Sequence, residues 1–246
     1  MLPVIVIVFL LAFIFSMLGL GGAMLYIPVF HWFGFDFKSV AIPTGLFLNG
    51  VTALSAAVSY ARKRMVDFTG SLPMVITSLI AAPLGARLTH IISVDVLMML
   101  FSMVMMLSGA KMLLSSGNAE PTELIAFKRR IMLSAVAGLG IGLLAGLLGI
   151  GGGFLFVPLL IALGYPTKKA AATSAFVVVF SSFSGFIGHF ANGHFNWPLL
   201  IYASIAVLLA SQLGAWVMKE KMKSKWIKQL FGIVLITIAV KLSLAS

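Results

Sequence analysis

Leu18-Gly19-Leu20-Gly21-Gly22-Ala23 and Leu148-Gly149-Ile150-Gly151-Gly152-Gly153 are two copies of one stretch, and each is followed by a proline, Pro28 and Pro158. Both lie inside apolar runs of roughly 34 residues, too long for one membrane span of about 20 and short for two full ones. Glycine in a helix interior costs about 1 kcal/mol relative to alanine, so three or four together predict a break. Broken backbone at membrane depth is tolerated only where protein covers it or where it lines a cavity. The two breaks are therefore expected to meet near the midplane and to form the place where something crosses.

The composition sets the class. Of 246 residues 61% are hydrophobic and 9% charged, whereas a soluble domain carries about 25% charged residues. Several apolar stretches reach the length of a span, so the chain reads as an all-α, polytopic helical membrane protein. The absence of cysteine excludes disulfides, thiolate catalysis and Cys-based metal sites. The net charge of +11 comes from basic residues lying between apolar runs. It is read as topology signalling and contact with anionic lipid head groups, not as nucleic-acid binding. The apolar N-terminus lacks a basic leader region and runs straight into the first break, so it is read as retained structure.

Taken in order, residues 2–34 form the first broken run. Spans are expected over 40–60, 69–91 and 96–114. Residues 115–130 are the polar linker. The order then repeats, with a broken run over 131–164 and spans over 170–191, 198–217 and from about 229 to the end. The chain thus divides into a first repeat (1–114), the linker (115–130, expected cytoplasmic) and a second repeat (131–246). At an offset of 130, Leu18, Gly19, Gly21, Gly22, Leu25, Pro28, Gly34, Lys38 and Ala41 match Leu148, Gly149, Gly151, Gly152, Leu155, Pro158, Gly164, Lys168 and Ala171. Paired interrupted segments in equivalent places of two repeats point to a transporter's binding site.

Charge decides how the repeats face. If each half holds four simple spans, the basic residues divide 8 to 9 between the two sides. If each broken run is instead a re-entrant hairpin followed by three transmembrane helices, 14 fall on one side and only Lys38, Arg87 and Lys241 on the other. The second division obeys the positive-inside rule. The expected fold is two inverted-topology repeats with both termini outside and the linker inside, in the cell's inner membrane.

In that arrangement the short arms beginning near Ala23 and Gly153 aim their N-termini inward. Helix N-termini present unpaired N–H groups and about half a positive charge, and glycine lets an anion approach the backbone closely. The expected partner is a small anionic substrate bound by Gly19, Gly21, Gly22, Gly149, Gly151, Gly152 and Gly153. The following spans add Thr44, Asn49, Thr173, Ser174, Ser181 and Ser182, with His189 as a proton site or anion contact. Close helix packing by the glycines and back-bonding of the hydroxyls are the competing readings. No Asp or Glu lies in the middle of a span, which disfavours the carboxylate relays of cation pumps. No third ligand stands near His189 and His194, so neither a metal nor a cofactor is expected.

The doubled pattern Gly-x-Gly-Gly-(Gly/Ala)-x-x-x-x-Pro, with Ala171-Ala172-Thr173-Ser174 after its second copy, resembles the TauE/SafE family of sulfite and organosulfonate exporters. Gly193 to Trp197 is similar to that family's Gly-x-(Val/Ile)-Asp-Trp, with Asn196 in place of the acid, while the first half keeps Asp67-Phe68. The resemblance implies export of a small sulfur-containing oxyanion, with no enzymatic activity. Association as a homodimer is compatible with it. A passive anion channel with the same half-helix site is one alternative. An intramembrane hydrolase using Ser182 and His189 is another, but the two lie seven residues apart and so about 10 Å along a helix, beyond the reach of a nucleophile and its base.

Overall fold

The computed structural model describes residues 2–89, 91–117, 119–121, 123–191 and 193–245, with the side chains at 94, 97, 98, 101, 238 and 241–245 left aside. Lys241, expected at the end opposite the linker, is one of these. The first half comprises α1 (Leu2–Leu18), α2 (Ala23–Trp32), α3 (Ile42–Arg62), α4 (Phe68–Thr89) and α5 (Val94–Leu114). The second comprises α6 (Phe127–Leu148), α7 (Gly153–Ala162), α8 (Thr167–Phe190), α9 (Trp197–Glu220) and α10 (Ser224–Ala245). Among the described residues there is no strand. Among the described residues, five helices of 22 to 26 residues are long and apolar enough to cross a membrane: Phe37–Arg62, Phe68–Thr89, Phe127–Leu148, Thr167–Phe190 and Trp197–Glu220.

Each glycine cluster breaks its run by the same local chemistry. Gly19 and Gly149 adopt left-handed φ values of 70° and 72°, which only glycine takes without strain. The chain then folds back so that Leu20 N–H donates to Phe15 O at 3.1 Å and Ile150 N–H to Ala145 O at 3.0 Å. This is the Schellman closure of a helix C-terminus. The short helices restart at once, with Tyr26 and Phe156 N–H donating to Gly22 O and Gly152 O at 3.1 Å each. The arms begin at Ala23 and Gly153, where the glycine placement puts them.

Other ends are capped by side chains. Asp36 accepts from Ser39 N–H at 2.7 Å and leads into a π-helical turn, Phe37–Ala41, that runs on into α3. Of the polar turn expected at Asp36–Lys38, Asp36 stands outside as the cap, while Lys38 lies in a helix continuous with α3. Asp67 accepts from Gly70 N–H at 2.8 Å ahead of α4, and Asn196 accepts from Leu199 N–H at 3.1 Å ahead of α9. The two are repeat mates, and Asn caps a helix as well as Asp does, so Asn196 keeps the role of the missing acid. The linker expected over 115–130 is helical from Phe127. In its first turn the Arg130 guanidinium lies over the rings of Phe127 and Tyr165, at 5.4 and 5.6 Å.

Small residues let the helices approach. Gly138, Gly142 and Gly146, each four apart on α6, lie against Met74, Ser78 and Ala82 of α4. A Cβ at Gly146 collides with the Ala82 carbonyl. Gly214 of α9 backs onto Phe13 and Ser16 of α1, the counterpart of Gly85 of α4 against Leu143 of α6. Gly109 of α5 meets Leu235 and Ile236 of α10, and Gly232 of α10 meets Leu113.

At the core, α3 and α8 run antiparallel. Leu46 sits over Gly185 and Asn49 bonds Ser182, while Asp67, just past the end of α3, bonds Thr173 near the start of α8. α7 finishes beside the linker, where Ile125 N–H donates to Leu163 O at 3.3 Å. α2 finishes at the other end, beside the start of α3, where Ser39 O accepts from His194 N–H at 2.7 Å.

Candidate functional site at the two helix breaks

Both glycine loops close onto one side chain, Asn49, which is fully buried. Its Oδ1 accepts from Ala23 N–H, the first amide of α2, at 2.7 Å. That bond fixes the amide's orientation, because a main-chain N–H can only donate. Nδ2 accordingly points to the second half and donates to Ser182 Oγ at 2.6 Å. A Cβ at Gly21 collides with the Asn49 amide from one side, and a Cβ at Gly151 collides with it from the other. Asn49 lies about a third of the way along α3 and Ser182 two thirds of the way along α8, so the antiparallel crossing of those helices is what superposes them.

The hydroxyls around this centre serve the loops. Ser174 donates toward Gly19 O at 3.0 Å and Gly153 O at 3.3 Å, touching both breaks. Ser181 donates to Gly151 O at 2.6 Å. Gly153 lies against the backbone of Leu20, which leaves no room for a Cβ there. Gly19, Gly21, Gly151, Gly153, Asn49, Ser174 and Ser182 are thus brought together. Gly22 packs on the Tyr26 ring, Gly149 on Ile42, and Gly152 on Ile141 and Phe156, at the margins of this cluster.

Thr173 and His189 are not part of it. Thr44 is buried on α3. Thr173 accepts from Asp67 N–H at 3.1 Å, at the linker end of the bundle. His189 Nε2 lies 3.0 Å from Gly146 O. A carbonyl oxygen only accepts, so that nitrogen carries a proton and donates. Ser182 is engaged by Asn49 instead of by His189, so the two do not form a nucleophile–base pair.

The role of His189 becomes plain beside its counterpart. A helix that stops inside a protein leaves its last carbonyls without intrahelical partners. In α1, Ser16 O is taken by the Tyr60 hydroxyl. In α6, the repeat mate Gly146 O is taken by His189, and Leu147 O by the Thr89 hydroxyl at 2.7 Å. Tyr26 and Thr52 pair at 3.1 Å between α2 and α3. Sequence reasoning missed Tyr60 and Thr89. The signal was the break itself, since every interrupted buried helix calls for donors at its last turn.

The linker end holds a second polar layer. Asp67 accepts from the Tyr165 hydroxyl at 2.7 Å. Burial works against its ionised form, but Gly70 N–H, Tyr165, Arg130 and Lys169 outweigh it and hold its pKa below the usual carboxylate range. Burial and then the Asp67 carboxylate push the Tyr165 phenol up. Glu120 of the linker accepts from Thr167 N–H at 2.6 Å and its hydroxyl at 2.8 Å, capping α8, and pairs with the buried Lys228 at 3.2 Å. Burial again opposes ionisation there, and the Thr167 and Lys228 contacts overcome it, so this pKa too is lowered. Among the described residues, no three His, Asp or Glu side chains are grouped as a metal site requires.

A duplicated set of interrupted helices, meeting at a buried polar centre inside a bundle of membrane-length helices, defines a multi-pass membrane transporter architecture. The chain belongs to the Sulfite exporter TauE/SafE family, which it matches over residues 4–242. It is 29% identical over 250 residues to the probable membrane transporter protein YunE of Bacillus subtilis, covering 92% of this chain and 91% of the relative. It is 26% identical to a probable membrane transporter protein of Methanocaldococcus jannaschii, covering 96% and 92%. A shorter match, 36% identical over 100 residues, is to Sulfite exporter TauE/SafE family protein 6 of Arabidopsis thaliana, covering 41% of this chain and 23% of that protein. No solved structure matches. The protein is an integral, multi-pass membrane transporter of this family.

Proposed function

We propose that the protein exports a small sulfur-containing oxyanion, sulfite or a short organosulfonate, through a site where the two glycine breaks meet. The observation that carries this reading is the joint contact of Gly21, Gly151, Ala23 N–H and Ser182 with Asn49. Two short-helix N-termini, hydroxyls and an amide are the donors that replace an oxyanion's hydration shell. The substrate class is supported by the names of the plant relatives. Asn49 Oδ1 occupies the first amide of α2, so a bound anion takes that place and the amide turns to donate to it.

The two halves are inferred to insert in opposite senses. Supporting this are the antiparallel pairing of the repeat mates α3 and α8 and the exits of α2 and α7 at opposite ends of the bundle. The linker end, with its 14 basic residues, is then cytoplasmic, both termini lie outside, and the membrane is the inner one. Counterflow of labelled sulfite in proteoliposomes tests the function. Saturable exchange accelerated by internal unlabelled sulfite is the expected result. Unsaturable flux with measurable conductance assigns a channel instead, and no flux with any of a panel of sulfur oxyanions removes the reading.

A further inference from the structure

We propose that Arg130 and Ser134 form a separate oxyanion-binding station at the linker end, where cargo is captured before it reaches the glycine breaks. This rests on the carrier reading above. The two residues are one helical turn apart on α6 and share a face. Arg130 is 9% exposed and Ser134 fully buried. Arg130 Nε and Ser134 Oγ are both sealed from solvent and have no hydrogen-bond partner among the described residues. An unmet buried donor is costly, and more so on a charged group, so two of them one turn apart point to a ligand that satisfies both.

The surroundings fit an oxyanion. The Arg130 guanidinium lies over the rings of Phe127 and Tyr165. Ring faces screen its charge but offer no acceptor in the plane of the N–H groups. Among the described residues Arg130 makes no ion pair within 4 Å. The carboxylate whose ionised form Arg130 favours, Asp67, is held by Gly70 N–H and the Tyr165 hydroxyl, and Lys169 acts on it in the same sense. The nearby acid is thus already engaged, and an anion with several acceptor oxygens is the chemistry that meets a guanidinium N–H and a hydroxyl one turn apart. Arg130 stands in the first turn of α6, so the positive end of that helix adds to the attraction. A free sulfur oxyanion and a lipid head-group phosphate share this chemistry. The position at the start of the helix leading to Gly149–Gly153 favours the transported anion.

The test is the concentration dependence of labelled sulfite uptake by wild type, Ser134→Ala and Arg130→Lys, in proteoliposomes of neutral lipid with and without phosphatidylglycerol. Arg130→Lys keeps the charge and removes Nε–H, and Ser134→Ala is nearly isosteric, so both fold. The expected result in neutral lipid is a KM raised roughly tenfold for Arg130→Lys and about threefold for Ser134→Ala, with maximal rate within about twofold of wild type. Unchanged KM in both variants overturns the proposal. So does a result in which KM is unchanged and only the stabilisation by phosphatidylglycerol is lost, which assigns the donors to a lipid head group. If wild type shows no saturable uptake, the carrier reading fails on its own. Sulfite-induced thermal stabilisation, present in wild type and lost in both variants, then still supports the station, and its retention in both overturns it.

Discussion

Replacing Asn49 by alanine tests the joint between the halves. Asn49 makes two buried hydrogen bonds, to Ala23 N–H in its own half and to Ser182 in the other. Its removal leaves the first amide of α2 without an acceptor in a loop whose backbone is fixed by Gly21 and Gly22 at φ values of 88° and 148°. That group cannot turn elsewhere, so its loss is worth about 1–3 kcal/mol. The bond to Ser182 is an interhelical one of the kind that averages about 0.6 and reaches about 1.7 kcal/mol in membrane proteins. Asn49→Ala is therefore expected to destabilise the fold by about 2–4 kcal/mol. The Asn49→Ala/Ser182→Ala cycle, read by denaturant unfolding in micelles, is expected to show a coupling of about 0.6–1.7 kcal/mol. Asn49→Asp keeps an acceptor for Ala23 N–H and lets the Ser182 hydroxyl turn to donate to it, offset by the cost of a buried carboxylate, and it places negative charge at the proposed anion site. Stability above that of Asn49→Ala with transport lost is the expected outcome. Wild-type stability in Asn49→Ala together with zero coupling to Ser182 refutes the convergence of the two loops on this side chain.

Three further outcomes follow from the same contacts. Gly21→Leu and Gly151→Leu place a side chain on Asn49 from opposite halves, so each alone is expected to abolish sulfite flux while membrane insertion, scored by fractionation, is retained. Gly146→Ala drives a Cβ into the Ala82 carbonyl and is expected to destabilise by about 1–3 kcal/mol through overpacking of α4 on α6, measured by the unfolding midpoint. Asp67 and Glu120 both have lowered folded pKa values. Their stabilisation is complete above the ordinary carboxylate pKa of about 4 and is lost as the pH falls below it through the folded values. Asp67→Asn combined with Glu120→Gln is expected to flatten the acid limb of the stability profile, and an unchanged limb contradicts this.

The parts of the fold legible in the sequence were those written in residue type and spacing. The duplicated glycines and their prolines located both breaks, because a left-handed φ and a Schellman closure demand glycine at those points. The long apolar runs gave the remaining helices to within a few residues. The continuation of Phe37–Ala41 into α3 was hidden, since a π-helical turn has no distinctive residue pattern. The start of α6 at Phe127 was hidden as well, because Ala126 at its N-cap carries no capping side chain. Within the site, Asn49, Ser174 and Ser182 could be named from their polarity in apolar spans. That Asn49 meets Ser182, and that Ser174 spans Gly19 and Gly153, depends on how α3 and α8 cross. His189 looked like a candidate ligand for the same reason as Ser182, a lone polar group in a span. Its position opposite the Gly146 carbonyl gives it a capping role that only the packed structure reveals.

Equilibrium binding of sulfite by calorimetry, on wild type and on monodisperse Gly21→Leu and Gly151→Leu proteins, bears most directly on the shared site. One saturable site of glycine-dependent affinity, lost in each variant, is the result expected if the halves build it jointly. Wild-type affinity persisting in both variants contradicts it.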